Sequence, residues 1–536
     1  MFKGKSVRAA LAALAIAAAP LGTCLAADER QSMEELRNTV INLLQALVDQ
    51  GVITREKAQQ MVKAAQDKAA ADAAALAKTE EGAVRVPYVP QIVQDQIAKQ
   101  VEQQVKPEVV ADVVQQAKTE KWGVPGALAD WLSRTRISGE VTLREEDIMY
   151  PAGNATGVYL NYFAINQAGS IAAAGQNALE NTTVDNARFR GRVRLAVTSD
   201  ITDSITAGIR LATGNTSDLV SETQTFDGTA PYTFGVDEAY IRLDKRNAQN
   251  FDWLTVVGGR FENPYLTPTN LIFNRDLTFT GVSATGRLGL GDGSAEQSNI
   301  FLTVGAHPIQ EITFTTHDKW LVAGELGTNL RWGEGQNLRL AAGFYDYFYV
   351  TGRLNPPEST VNNFTAPQFL RQGNTYFDIS NTPGTDLFAL AAKYRLANVN
   401  ATYILPVGRY TFAAVADAVR NLGYNTADVS ANVGTYTAPR INGYQGELSF
   451  GNPNIDTFGA WRGGVGYRYL QRDAVIDAYT DSDFHFGGTD ATGYYLIGEL
   501  GLASKVWMRV RYMSSNAIDG PQLAIDTVQV DLNTRF

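Results

Sequence analysis

The chain has 536 residues, 19% of them charged, and a formal net charge of -10. That acidic balance argues against a surface built to hold nucleic acid. Beyond the first thirty residues no run of eighteen apolar residues occurs, so helical membrane spans are excluded.

Residues 1–26 have the form of an export signal. Lys3, Lys5 and Arg8 supply a basic stretch, and Ala9 to Ala19 an apolar core too short to span a bilayer. Cleavage after Ala26 follows the small-residue rule. "LGTC", ending at Cys24, offers a competing lipoprotein site, against which Thr23 counts. Loss of the signal removes the only cysteine, so the mature chain carries no disulfide.

Residues 27–130 are predicted to be α-helical. Leu36, Val40, Leu43, Leu44 and Leu47 form one apolar stripe. Gly51 suits a C-terminal cap, and Thr54 suits the N-cap of the next helix. Pro87 and Pro90 force "VRVPYVP" to be extended. The following helix places Ile97, Val101 and Val105 four apart. A stripe this thin needs a partner, which favours an oligomerising, coiled-coil stalk over a solvated linker.

From 131 to 536 the period changes to two. "RISGEVTLREED", "ARFRGRVRLAV" and "SKVWMRVRYM" each alternate apolar with charged residues. About sixteen such segments are expected, starting near 135, 187, 204, 235, 250, 277, 298, 319, 337, 386, 409, 441, 457, 490, 504 and 522. Residues 386–420 also admit three strands instead of two. Short connections such as "KRNAQN" and "LPVGR" alternate with long ones at 150–186, 214–234, 261–276, 350–385, 421–440 and 471–489. That alternation is the pattern of an all-β transmembrane barrel of about 16 antiparallel strands.

A soluble β-sandwich would also alternate. Three features favour the barrel. Trp320 and Trp332 share a face twelve residues apart, roughly 30 Å along the normal of a tilted strand. Glycines populate the apolar face (Gly139, Gly191, Gly324). The last strand, "TVQVDLNTRF", runs to Phe536 with no extension, as a strand that closes on the first one can. Trp320, Trp332 and Phe536 are therefore candidate membrane-girdle residues.

The C-terminal segment resembles the signature that barrel-insertion machinery reads in bacterial outer-membrane proteins, with Thr534 as a departure. "GRFENPYLTPTNLIFNRDLTFTGV" (259–282) resembles the third-loop region of a family of bacterial outer-membrane porins. "LVDQGVIT", "VPYVP", "GVPGALADWLSRTRISGEV" and "FAAVADAVRN" resemble other segments of that family in the same order. The resemblance implies an outer-membrane barrel, a periplasmic helical segment and a passive transport role. Outer-membrane lipid and a homo-oligomer, a trimer above other states, are the expected partners.

The chemistry expected is that of a lumen. His307, His317 and His485 fall in expected loops or strand ends without metal-ligand spacing. Neither a catalytic site nor a cofactor is expected. Arg188, Arg190, Arg192 and Arg194 stack on one face, joined by Arg210 and Arg260. Glu262 and Asp276, on a loop folded inward, are the expected counter-charges, with Glu140 and Glu238 beside them. Opposed charges across a constriction filter solutes by charge, while cross-strand pairing alone would only stiffen the wall. The function expected is passive diffusion of small hydrophilic solutes or ions. A substrate-specific channel, or an envelope tether or adhesin anchored by the barrel, are the alternatives.

Overall fold

The computed structural model describes residues 60, 63–64, 67–68, 133–214, 219–220, 223–226, 231–313 and 315–536. The chain divides into two compact units, Met1–Gln116 and Ala117–Phe536. Of the first, only the five isolated residues are described; each is helical and exposed. The expected signal, Cys24 and nearly all of the 27–130 segment lie outside the described residues.

The second unit is a closed antiparallel barrel of sixteen strands. They are β1 (Thr135–Met149), β2 (Asn186–Thr202), β3 (Ile205–Thr213), β5 (Phe234–Arg246), β6 (Asp252–Glu262), β7 (Thr278–Gly289), β8 (Asn299–Gln310) and β9 (Lys319–Trp332). The ring continues through β10 (Gln336–Phe348), β13 (Arg395–Val407), β14 (Tyr410–Asn421), β15 (Asn442–Gly451), β16 (Trp461–Leu470), β17 (Ala491–Ala503), β18 (Val506–Ala517) and β19 (Ala524–Arg535). The short β4 (Gln224–Thr225) extends the sheet beside β2, and β11 (Tyr376–Asp378) pairs with β12 (Phe388–Leu390) apart from it.

Closure comes from β19, which pairs with β18 on one side and β1 on the other. Its polar positions Gln529, Asp531 and Asn533 are buried inside, while Leu532 is exposed outside. Alternation thus sorts the strand into a wet and a dry face. Beyond its last ladder residue, Phe536 exchanges two backbone hydrogen bonds with Gly139, at 3.0 and 3.1 Å. A side chain at 139 would meet the Phe536 ring, which would have to move aside. Trp320 and Trp332 are exposed at opposite ends of β9.

The longest connections all lie at one end of the barrel, and most at the other end are short turns. The longer ones fold inward. Leu271, Ile272 and Phe273 from the 263–277 loop pack with Leu390, Tyr394 and Ile476 from later loops. This apolar mass also covers Leu321, Tyr345 and Leu396, which point inward from β9, β10 and β13. The inward face is therefore not polar throughout, as alternation suggested. Where loops displace water from the lumen, apolar residues are stable there. The same filling explains the strand expected near 386: barrel pairing begins at Arg395, and Phe388–Leu390 sits inside with β11.

Candidate functional site

Alternate residues of a strand share a face, so Arg188, Arg190, Arg192 and Arg194 all project inward from β2. Glu140, Thr142, Arg144 and Glu146 do the same from β1, and the register sets Glu146 opposite Arg188 and Glu140 opposite Arg194. Arg188 approaches Glu146 at 2.5 Å and Arg190 approaches it at 3.3 Å. Arg192 pairs with Glu140 and with Asp276, both at 2.7 Å. Arg194 holds Asp276 at 2.9 Å. On β3, Arg210 meets Asp237, Glu238 and Glu262 at 2.6, 2.5 and 3.0 Å. The ladder continues the other way round the ring. Arg144 pairs with Asp531 at 2.7 Å and with Asp483 at 3.1 Å, and Arg511 reaches Asp483 at 2.7 Å.

Two of these carboxylates come from loops, and each bridges two wall arginines. Asp276 ends the 263–277 loop, and Asp483 lies in the 471–490 loop. Burial alone would raise the Asp276 carboxyl, but the charges and hydrogen bonds of Arg192 and Arg194 pull it down to about 2. Burial opposes ionisation of Asp483 as well, and Arg144 and Arg511 hold it well below the usual carboxylate range.

The first loop is pinned to the far wall before it returns to β2. The Leu266 amide donates to Glu325 at 2.8 Å, and Thr269 donates its hydroxyl to Asp417 at 2.7 Å. Arg468 donates to the Asn270 carbonyl at 3.1 Å, and the Asn274 amide to the Tyr479 carbonyl at 2.7 Å. These anchors fix where Asp276 is delivered.

A β-bulge shapes the acidic side. The β3–β5 register shifts between Arg210 and Leu211, so Arg210 faces Glu238 while Leu211 faces Val236. Asp237 is the extra residue. Both carboxylates consequently reach the same guanidinium, which strict alternation forbids.

Between this wall and the loop lies a cavity of about 630 Å³ lined by Glu140, Arg194, Arg210, Tyr240, Glu262 and Arg287. It shares Thr198, Tyr240 and Arg242 with a second cavity of about 520 Å³ that reaches Arg134 and Arg246 at the short-turn end.

The four arginines of β2, Arg210, Glu262 and Asp276 are thus brought together. Glu262 is the last residue of β6, not a loop residue. Arg260 departs from the expectation. Its cross-strand neighbours Ala239 and Thr280 share their face with the exposed Ile241 and Val282, the outward one. Its Nε donates to the Asp237 backbone carbonyl at 3.0 Å instead. Phe261, next to it, takes the inward position. Sequence reasoning missed Arg144, Glu146 and Asp531, for which the alternation was a sufficient signal. It also missed Asp237 and Asp483, which depend on the bulge and on loop folding.

The three histidines have local hydrogen-bond partners, each in a different place. His307 lies within β8, with Nε2 2.8 Å from the Tyr265 hydroxyl and Nδ1 3.2 Å from the Thr280 carbonyl. Nδ1 of His485 lies 3.0 Å from Ser515, whose hydroxyl donates to the Ile525 carbonyl. His317 lies 2.9 Å from the Thr315 hydroxyl. Among the described residues, no three or more His, Cys, Asp or Glu side chains are grouped to hold a metal ion.

Residues 37–536 match the model of the family described as "Putative porin". Similar solved structures include OprB of Pseudomonas putida, at 10% identity and TM-score 0.43, covering 76% of this chain and 95% of that one. OmpT of Vibrio cholerae in its trimer form gives 10% identity and TM-score 0.40, covering 75% and 99%. OmpF of Salmonella typhi in complex with daunomycin gives 12% identity and TM-score 0.38, covering 75% and 97%. No curated protein matches the sequence.

Proposed function

The chain belongs to the putative porin family, and from that premise we propose that its outer-membrane barrel passes small hydrophilic solutes or ions by passive diffusion through the charged constriction at Asp276. The observation that carries this reading is the pair of cavities sharing Thr198, Tyr240 and Arg242, which lead from the short-turn end to the arginine ladder. Transport of this kind asks only for a wet path and fixed charges. Arg188, Arg190, Arg192, Arg194 and Arg210 supply the basic wall; Asp276 and Glu262 oppose it. Arg260 has no part in that wall.

The apolar filling of the opposite half favours a narrow, selective channel over a wide one, which keeps a substrate-specific channel as the second reading. Long loops face the outside of the cell in this orientation, and residues 27–130 lie in the periplasm. Trp320, Trp332 and Phe536 then sit at the two membrane interfaces, where aromatic side chains are stable. The β19 strand and Phe536 are the surface offered to the insertion machinery. We also infer a homo-oligomer, a trimer above other states. A shallow outward groove of small side chains (Ala401, Ala416, Ala418 and Gly446) lets another wall approach closely.

Reconstitution of the purified full-length protein into planar bilayers tests the channel. Discrete conductance steps, with a reversal potential set by salt gradient, are expected. A folded protein that inserts and passes no current leaves the tether or adhesin reading in its place.

A further inference from the structure

At the loop end of the β8–β9 hairpin the chain buries a cation. Lys319, the first residue of β9, is only 2% exposed. It stands two positions before the inward Leu321 and so shares its side of the strand. Its Nζ donates to the Ala366 carbonyl, in the 349–394 connection, at 2.6 Å. An ammonium has three protons to give and a whole charge to balance. Among the described residues no carboxylate lies within ion-pair distance of Lys319. A buried charge is stable when it is paired and hydrogen-bonded, and costly otherwise.

The hairpin sets a second polar group beside it. The β8–β9 register shifts between Pro308 and Gln310, so that Pro308 faces Trp320 while Gln310 faces Lys319. Ile309 is the extra residue. Strict alternation would turn Gln310 outward with Pro308; the bulge brings it inward, opposite the lysine. Its Oε1 is buried and meets no donor among the described residues. Turned about its last bond, the same amide presents two N–H donors at that place.

Lys319 and Gln310 line one cavity of about 40 Å³. Val350, Phe369, Leu390 and Ile476 give it an apolar wall, and no aspartate or glutamate lines it. Val350, Leu390 and Ile476 belong to the buried loop mass, which separates the space from bulk water. A water molecule takes up roughly 30 Å³ of the liquid, so the cavity suits a particle of that class and is too small for a sugar or an amino acid. Water there would accept the ammonium protons but leave the charge unbalanced. A small monovalent anion does both.

We propose that this cavity binds a single halide ion, held by the Lys319 ammonium and the Gln310 amide. Through Lys319 and its bond to Ala366 the ion ties the β8–β9 hairpin to the 349–394 connection, and halide should stabilise the folded barrel. None of these residues lines the charged constriction, so a channel without current would leave the proposal standing.

The test is anomalous diffraction at the bromine edge from crystals of the full-length protein grown in sodium bromide. One bromide peak is expected between Lys319 Nζ and the Gln310 amide. In solution, the midpoint temperature of the heat-modifiable band should be higher in bromide than in sodium gluconate of equal ionic strength, because gluconate is too large to enter. Gln310→Glu supplies a carboxylate opposite the lysine. It should fold, lose the peak and give the same midpoint in both salts. Lys319→Met removes the cation and should likewise abolish the peak. Arg353→Gln, an exposed arginine in the same long connection, should keep both the peak and the difference in midpoint. Wild-type crystals without bromide at this place, or a peak that survives in Gln310→Glu, overturn the proposal. A midpoint that is equal in the two salts for wild type, or still bromide-dependent in Gln310→Glu, overturns it as well.

Discussion

Asp276 joins a loop to the wall by two guanidiniums, and its low pKa gives that contact a pH signature. A carboxyl whose folded pKa lies below its unfolded value of about 3.9 contributes stability above that value. The contribution is lost as pH falls through the folded value of about 2. Asp276→Asn should therefore unfold more readily than wild type by about 1–3 kcal/mol, by heat-modifiable gel mobility between pH 5 and 8. The gap should shrink below pH 4 and close only below pH 2, where the native side chain is also neutral; near pH 2 that side chain is still half ionised. A gap that persists unchanged at pH 2 would mean the ion pairs do not carry it. Arg192 links Asp276 to Glu140. Arg192→Gln removes one fixed positive charge from the constriction and leaves two carboxylates less compensated. Reversal potentials under a salt gradient should move toward cation selectivity. An unmoved potential in a folded variant would confine Arg192 to stiffening the wall.

Strands and loops divide the work at the next scale. On β2, Val193 stands between Arg192 and Arg194 and faces away from the lumen, opposite Val141. Val193→Arg turns a charge toward lipid and should cost about 2–4 kcal/mol if it lies near the midplane, so the folded, heat-modifiable band should weaken. Normal folding of that variant would mean the two faces of β2 are assigned the wrong way round. The alternation that identifies these faces was legible in the sequence, and so were the four arginines. The β5 bulge was not. It depends on a register shift against β3, and a register belongs to two strands at once. The fate of the 263–277 loop was legible only as an inward fold. Its anchors, Glu325 and Asp417, come from β9 and β14, far away in the chain. Thr269→Val/Asp417→Ala should free the loop, and single-channel currents should become noisier, with a broader distribution of open levels. Currents as quiet as wild type would show that the remaining anchors suffice.

For the whole molecule, orientation is the property to test. Cysteine at Asn363, in the long connection between β10 and β13, should react with a membrane-impermeant thiol reagent on intact cells. Cysteine at Arg409, in the short turn between β13 and β14, or at Asp67 should not. Labelling at Arg409 or Asp67 with protection at Asn363 would invert the barrel in the membrane.

The sequence by itself pointed to a barrel in the second part of the chain, to about sixteen strands and, Arg260 apart, to the charged residues that look inward. Each follows from a period of two, which is local to a strand and survives without knowledge of its neighbours. Only the tertiary structure decided how the lumen is partitioned. Apolar loop segments such as Leu271–Ile272–Phe273 carry no sign of which wall they will cover, because burial is fixed by whatever surface they meet. The same holds for the ion pairs. Arg192 announced a charged face, but its union with Asp276 required a loop to cross the lumen, and Arg260 fell on the outer side because Phe261 took the place within.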